Sequence, residues 1–414
     1  MRAATEGIRL LSDAAALWWT RLLPLITAYV VGFALHLLGL RLSVALGPGH
    51  QVLATLVFVL AVLAQVGALV LMLWLCRPPG DRESALDVAA LAIGPFLAVY
   101  ALWGLVDDEV YALFAANISV SGLGGPDQWS VNLRWWQLYL GLALGAWLLR
   151  QAVAILARHH RTRPLLLLGV VLEGVWTFAS ALALLAVLGR LLDWGSSRAL
   201  WQGVVGGWHQ LLAVLPDLRL PFDLTLPEAL QTVVAWLLGT ALPGLWNAVL
   251  LPLVWLALAA VVFGQRELDA RSVAEGTGLV QLPDRWSSNP WGSLLHRAAL
   301  LLTGDLRTKY LPVLHAFRLL WAAGPAFLAA YLVVATVFST LRAWVELSLA
   351  RLLGPRDPYA ALAWSWAEDL LVGAVLSPVA VAVYAAAARR TMRPDVTGDA
   401  ARAATGPARP TAAP

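Results

Sequence analysis

From Leu165 to Gly189 the chain carries one charged side chain, Glu173. A helix needs about 20 apolar residues to cross a bilayer, so this stretch is long enough. Comparable runs recur along the chain, and together they predict about eight spans: 18–40, 51–76, 87–106, 136–157, 165–189, 243–264, 312–340 and 366–388. A spanning helix satisfies its own backbone hydrogen bonds, which irregular chain in lipid cannot do. A strand-built pore would alternate apolar and polar residues, and these runs do not. The expected fold is therefore all-α, a polytopic helical membrane protein with extra interfacial amphipathic helices. The charged fraction, 13%, agrees, because soluble domains carry about 25%.

Basic residues set the orientation, since they concentrate on the cytoplasmic side. With the N-terminus inside, 21 of the 29 Lys and Arg fall in inner segments and 8 outside. Both termini are thus expected in the cytoplasm, which an even number of spans requires. Lys309 is the only lysine, and the chain is rich in Ala, Gly and Pro. That bias predicts a bacterial inner membrane. The first apolar run, Leu22–Leu40, is too long for a cleaved signal and reads as a retained helix. Cys76 is the single cysteine, so no intrachain disulfide or thiolate cluster can form.

The parts outside the spans have patterns of their own. Residues 1–17 read as a cytoplasmic amphipathic helix, with Ile8, Leu11, Ala15, Trp18 and Leu22 on one stripe. Residues 18–390 form the transmembrane bundle, with outer loops 107–135, 190–228 and 341–365 and a cytoplasmic loop 265–310. In that loop Asn289 and Pro290 resemble the start of a second inner-surface helix. Residues 391–414 lack large apolar side chains and are expected to be a disordered cytoplasmic tail. Outside, Trp201, Val204, Val205, Trp208, Leu211 and Leu212 mark an interfacial helix. The alternation in Leu218–Leu226, and a shorter one in Asn117–Gly122, predicts extended chain and a small ribbon. The seventh span should continue outward through residues 341–353 and stop at Gly354-Pro355, with Asp357-Pro358 opening the last helix. Residues 229–264 are either one kinked span or a re-entrant piece plus a span. Gly94-Pro95 and Gly324-Pro325 predict two kinked helices. Many of the 21 Trp sit at span ends, where indole anchors at the interface.

A charge at mid-bilayer costs about 3 kcal/mol on insertion scales, so Glu173 should face the bundle and have a partner. The fourth and fifth spans are joined by a tight loop around Arg161. Arg150 and Glu173 then sit at matched depth, roughly 10–12 Å inside the membrane edge. Gly141 and Gly145 have the spacing that lets helices approach closely. Gln65 and Arg318 are further possible partners. The preferred reading is a buried lock; the alternative is a protonatable transport site. His36 in the first span reads as a packed histidine, and Asn247 lies toward the outer end of the sixth.

Asp107, Asp108 and Glu109 follow the third span. They could serve a lipid-linked glycosyl- or phosphotransferase, yet acids at a helix start also favour the dipole and cap the helix. The cap is preferred; Glu368 and Asp369 are the nearest second acidic pair. No phosphate-binding loop or HExxH occurs. His159 and His160 are adjacent and point apart, and Ser119 and Ser121 have no paired histidine. Neither a metal site, a cofactor site nor a nucleic-acid partner is expected; the basic inner loops suit anionic lipid. The expectation is a non-enzymatic scaffold, subunit or hydrophobic-ligand-binding protein of the bacterial envelope, with membrane lipids and a possible outer-face protein as partners. A proton- or cation-coupled transporter using Glu173 is the second reading, and the transferase the third.

Overall fold

The computed structural model describes residues 2–78, 84–102, 105–122, 135–159, 162–216, 218, 224–263 and 323–391. These residues are all-helical and contain no strand. The helices are α1 (Arg2–Leu46), α2 (Gln51–Leu75), α3 (Ala85–Leu102), α4 (Leu105–Ser121), α5 (Trp136–His159) and α6 (Arg163–Ser196). They continue as α7 (Ala199–Val214), α8 (Leu226–Trp236), α9 (Leu242–Phe263), α10 (Pro325–Leu353) and α11 (Pro358–Thr391). Seven helical stretches among the described residues are long and apolar enough to cross a membrane, and α3 is a shorter apolar helix.

Helix α1 runs without a break where the sequence suggests a surface piece followed by a span. Pro24 lies inside it; a proline there removes the N–H that would reach the carbonyl of Thr20. The packed stripe of its first half is Leu10, Ala14 and Leu17, against α10 and α11. The predicted stripe is a different face, on which Ile8 and Leu11 stay exposed. The segment is apolar on two sides, one for the bundle and one for its surroundings. Arg390 clamps it, reaching Glu6 at 3.0 Å and Asp13 at 2.8 Å. The start of α1 and the end of α11 therefore lie at the same end of the bundle.

Close helix approaches build the core. An added Cβ at Gly32 would overlap Ala68, one at Gly174 would overlap Leu63, and one at Gly373 would overlap Tyr29. The missing side chains let α1 pack on α2, α6 on α2 and α11 on α1. Gly141 and Gly145 do not act this way, since nothing lies within 4 Å of either Cβ position. α5 and α6 still pack along each other. The spacing was right for a close seam, but these two glycines face away from the neighbour.

Residues 226–263 form one helical run, not a re-entrant piece plus a span. A π turn at Leu237–Ala241 interrupts it just before Pro243. The proline has no N–H for the carbonyl four residues back, and the widened turn absorbs that defect. A capping box opens the run: the Thr225 hydroxyl accepts from Glu228 N, and the Glu228 carboxylate accepts from Thr225 N. The end of α10 and the start of α11 match expectation. Gly354, at φ 75°, ends α10. The Asp357 carboxylate accepts from the backbone of Tyr359 at 3.1 Å and Ala360 at 3.3 Å, capping α11.

Three expectations are corrected. Asn117–Ser121 is the end of α4, not extended chain; Asn117 donates to the Leu113 carbonyl one turn back at 3.0 Å. The ribbon therefore loses one strand, while most of Leu218–Leu226 lies outside the described residues. Gly324-Pro325 opens α10 and does not kink it, with Gly324 at φ 92°, a value that favours glycine; Pro95 does lie inside α3. Finally, the third expected span, 87–106, is met by α3, an apolar helix shorter than the seven membrane-length stretches. The helix expected around Asn289, Arg318 and the tail 392–414 lie outside the described residues.

Candidate functional site

Among the described residues, two carboxylates are buried in the bundle. Glu173 lies on α6, 4% exposed, between Leu172 and Gly174 on the face turned to α2, α3 and α5. Arg150 approaches from α5, and its Nε lies 2.5 Å from Glu173 Oε2. The pair inferred from matched depth therefore forms. Its arginine keeps a partly exposed side chain, 22%, while the carboxylate is enclosed. A guanidinium stays charged at all accessible pH, so the carboxyl always faces a cation here. Gln65 is exposed on α2 and takes no part in it.

The second carboxylate is Glu109, and the sequence places it outside the membrane with its two acidic neighbours. The structure separates the three. Asp107 and Asp108 are exposed, whereas Glu109 is 3% exposed and turned inward. On α4 the buried positions Val106, Glu109, Leu113, Ala116 and Asn117 form a helical stripe, with Ile118 buried beside it. Glu109 sits on that stripe and its neighbours do not. α4 packs with it against α1, α3 and α11.

Three side chains from three helices meet there. The Tyr100 hydroxyl of α3 donates to Glu109 Oε1 in a short hydrogen bond. His36 of α1, 6% exposed, brings Nε2 to 3.3 Å from Glu109 Oε2. The other ring nitrogen, Nδ1, lies 3.1 Å from the carbonyl oxygen of Ala61 on α2. Gly39 makes this reach possible. A Cβ on it would lie 2.6 Å from Ala61 Cβ and 3.1 Å from Ala61 Cα, so only glycine lets the backbones come this close. Ala61 lies ten residues from the start of α2 and fourteen from its end, about 15 and 21 Å along the axis. The cluster is therefore near the middle of a membrane-length helix.

The sequence singles out His36 and Glu109 separately and reads both as bland, a packed histidine and a helix cap. The signal that would have joined them is the stripe. In "LVDDEVYALFAAN" a carboxylate occupies the apolar face while two others lie beside it. Nothing in the sequence places α4 against α1, because the two are far apart along the chain.

The remaining candidates do not converge with either site. Glu368 pairs with Arg356 at 2.5 Å, and the Asp369 carbonyl accepts from Tyr29 at 3.4 Å. Asn247 is exposed, and the Ser119 hydroxyl bonds its own helix at Ala116. Among the described residues, no group of three or more His, Cys, Asp or Glu is brought together. Comparison with known proteins finds no matching family, no matching curated relative and no matching solved structure.

Proposed function

We propose that this chain is a multi-pass protein of a bacterial inner membrane that acts by binding. It holds a hydrophobic ligand or a partner protein and carries no reaction centre of its own. Both termini face the cytoplasm in this reading, as the basic residues favour.

One observation carries the proposal. The bundle is closed at the end where α1 begins and α11 finishes, and open at the other. In α9 every residue from Leu256 to Val262 is buried, and in α11 so are Val381–Val383 and Ala385–Ala388. On the same helical run as α9, nearly every residue from Gln231 to Asn247 is exposed. Trp236, Leu237, Leu238, Leu242, Leu245 and Trp246 are among them. The outer turns of α10 and much of α7 are exposed as well, including Trp344, Leu352, Leu200 and Trp201. Apolar surface of this extent marks a place that lipid or a partner covers. The run from Leu226 to Phe263 has 38 residues, about 57 Å of helix, against a bilayer core of about 30 Å. Lipid tails alone cannot cover all of it.

The test is purification in native lipid, with photo-crosslinkers placed at Trp236 and Trp246, followed by mass spectrometry. One protein or one lipid species crosslinked in stoichiometric yield supports the reading. Crosslinks spread over bulk lipids alone reject it.

A second reading, a proton- or cation-coupled carrier, is favoured by Glu109 and His36. The permanent partner of Glu173 makes that residue the poorer candidate for coupling. The transferase reading has little geometric support, because Asp107 and Asp108 diverge from Glu109.

A further inference from the structure

We propose that Glu109 and His36 form a proton-binding site inside the helix bundle, holding one proton between the carboxyl and the imidazole. Hydrogen-bond accounting at the cluster leads there. The Ala61 carbonyl can only accept, so the His36 Nδ1 beside it carries a hydrogen. The Tyr100 hydroxyl donates to Glu109 Oε1. That leaves Nε2 and Oε2 facing each other at 3.3 Å. With no hydrogen between them, two lone pairs would oppose each other in an apolar enclosure, and the cluster would carry a net negative charge. With one, the pair is either imidazolium and carboxylate or imidazole and carboxylic acid. Both forms are neutral overall, as a buried site requires. Glu109 Oε2 is enclosed and makes no other hydrogen bond, so the proton is the ligand this atom lacks.

The surroundings add little competing charge. α1 presents His36, α3 presents Tyr100, and α2 presents only the Ala61 carbonyl. From α4 itself Asp108 acts on the carboxyl, and no charged group of α11 does so among the described residues. This distinguishes the cluster from Arg150 and Glu173. An arginine does not release its proton, whereas an imidazole and a carboxyl can pass one between them. One site is a lock and the other is a proton store. The cluster lies beside the middle of α2, at the mid-membrane depth where carriers build ion sites. The site would serve the carrier reading, but its existence does not depend on transport or on the binding function above.

The experiment is infrared difference spectroscopy of the protein in lipid nanodiscs, stepped across the neutral pH range in H2O and D2O. Wild type should show a buried-carboxyl or imidazolium signal that shifts with deuterium. Glu109→Gln should lose it and stay folded, since the amide can donate to Nε2 and accept from Tyr100. Identical difference spectra for wild type and Glu109→Gln would overturn the site. Nitrogen-15 histidine spectra of wild type, with His36→Asn for assignment, give an answer without the glutamate variant. His36 should keep Nδ1 protonated at every pH and differ from the other six histidines. Solvent-like titration of His36 rejects the proposal. A proton-flux assay in liposomes then tests the carrier reading separately, because a silent carrier can still hold the proton.

Discussion

Replacing Arg150 with Gln should destabilise the protein more than replacing Glu173 with Gln, and the double variant should recover part of the loss. Arg150→Gln leaves a carboxylate whose side chain is 5% exposed without its counter-ion. Stranding a buried charge costs about 3–5 kcal/mol. Glu173→Gln leaves an arginine that is 22% exposed and can still donate to the amide oxygen. Its cost should be nearer that of a weakened charged hydrogen bond, about 1–3 kcal/mol. With both changed, two amides face each other and no charge is buried. The double variant should then fall short of the sum by about 0.5–3 kcal/mol, the range for residues in contact. Unfolding in mixed detergent, followed by tryptophan fluorescence, gives all four stabilities. Fully additive losses would refute the pairing. A Glu173→Gln loss exceeding that of Arg150→Gln would refute the asymmetry drawn from their burial.

Two other outcomes follow from packing. Gly39→Ala should lower stability by about 1–3 kcal/mol, because the new methyl meets the Ala61 backbone. Gly141→Ala, with nothing within 4 Å, should be neutral or gain up to about 1 kcal/mol of helix propensity; equal thermal shifts for the two would contradict the α1–α2 seam. Cys76 is buried, at 0% exposure, so a thiol reagent should label no site per chain in the folded protein and one in denaturant. Fast labelling of the native protein would show that the closed end of the bundle is misplaced.

Local chemistry was enough to read much of this molecule. Runs of apolar residues demand helices in lipid, whatever their neighbours. Asp357 with Pro358 opens α11 and Gly354 ends α10, because caps and left-handed residues act within one turn. The Arg150–Glu173 pair was also within reach, since a short connection forces α5 and α6 to lie side by side and depth can be counted from the loop. The same counting failed wherever facing was needed. Gly141 and Gly145 have the right spacing but face away from α6, and the true seams run through Gly32, Gly39, Gly174 and Gly373. Spacing along one helix says which residues share a face, not which neighbour that face meets.

Glu109 marks the boundary between the two kinds of information. Its place on an apolar stripe is written in the residues from Val106 to Asn117. Its partners are not, because His36 and Tyr100 come from other helices and reach it only when α4 packs back on α1 and α3. A buried charge needs a complement at a particular distance, and that distance is a property of the packed bundle. The sequence by itself determined that this chain forms membrane-length helices, and where some of them are capped. The tertiary structure decided which acid meets an arginine, which meets a histidine and a tyrosine, and which two stay exposed.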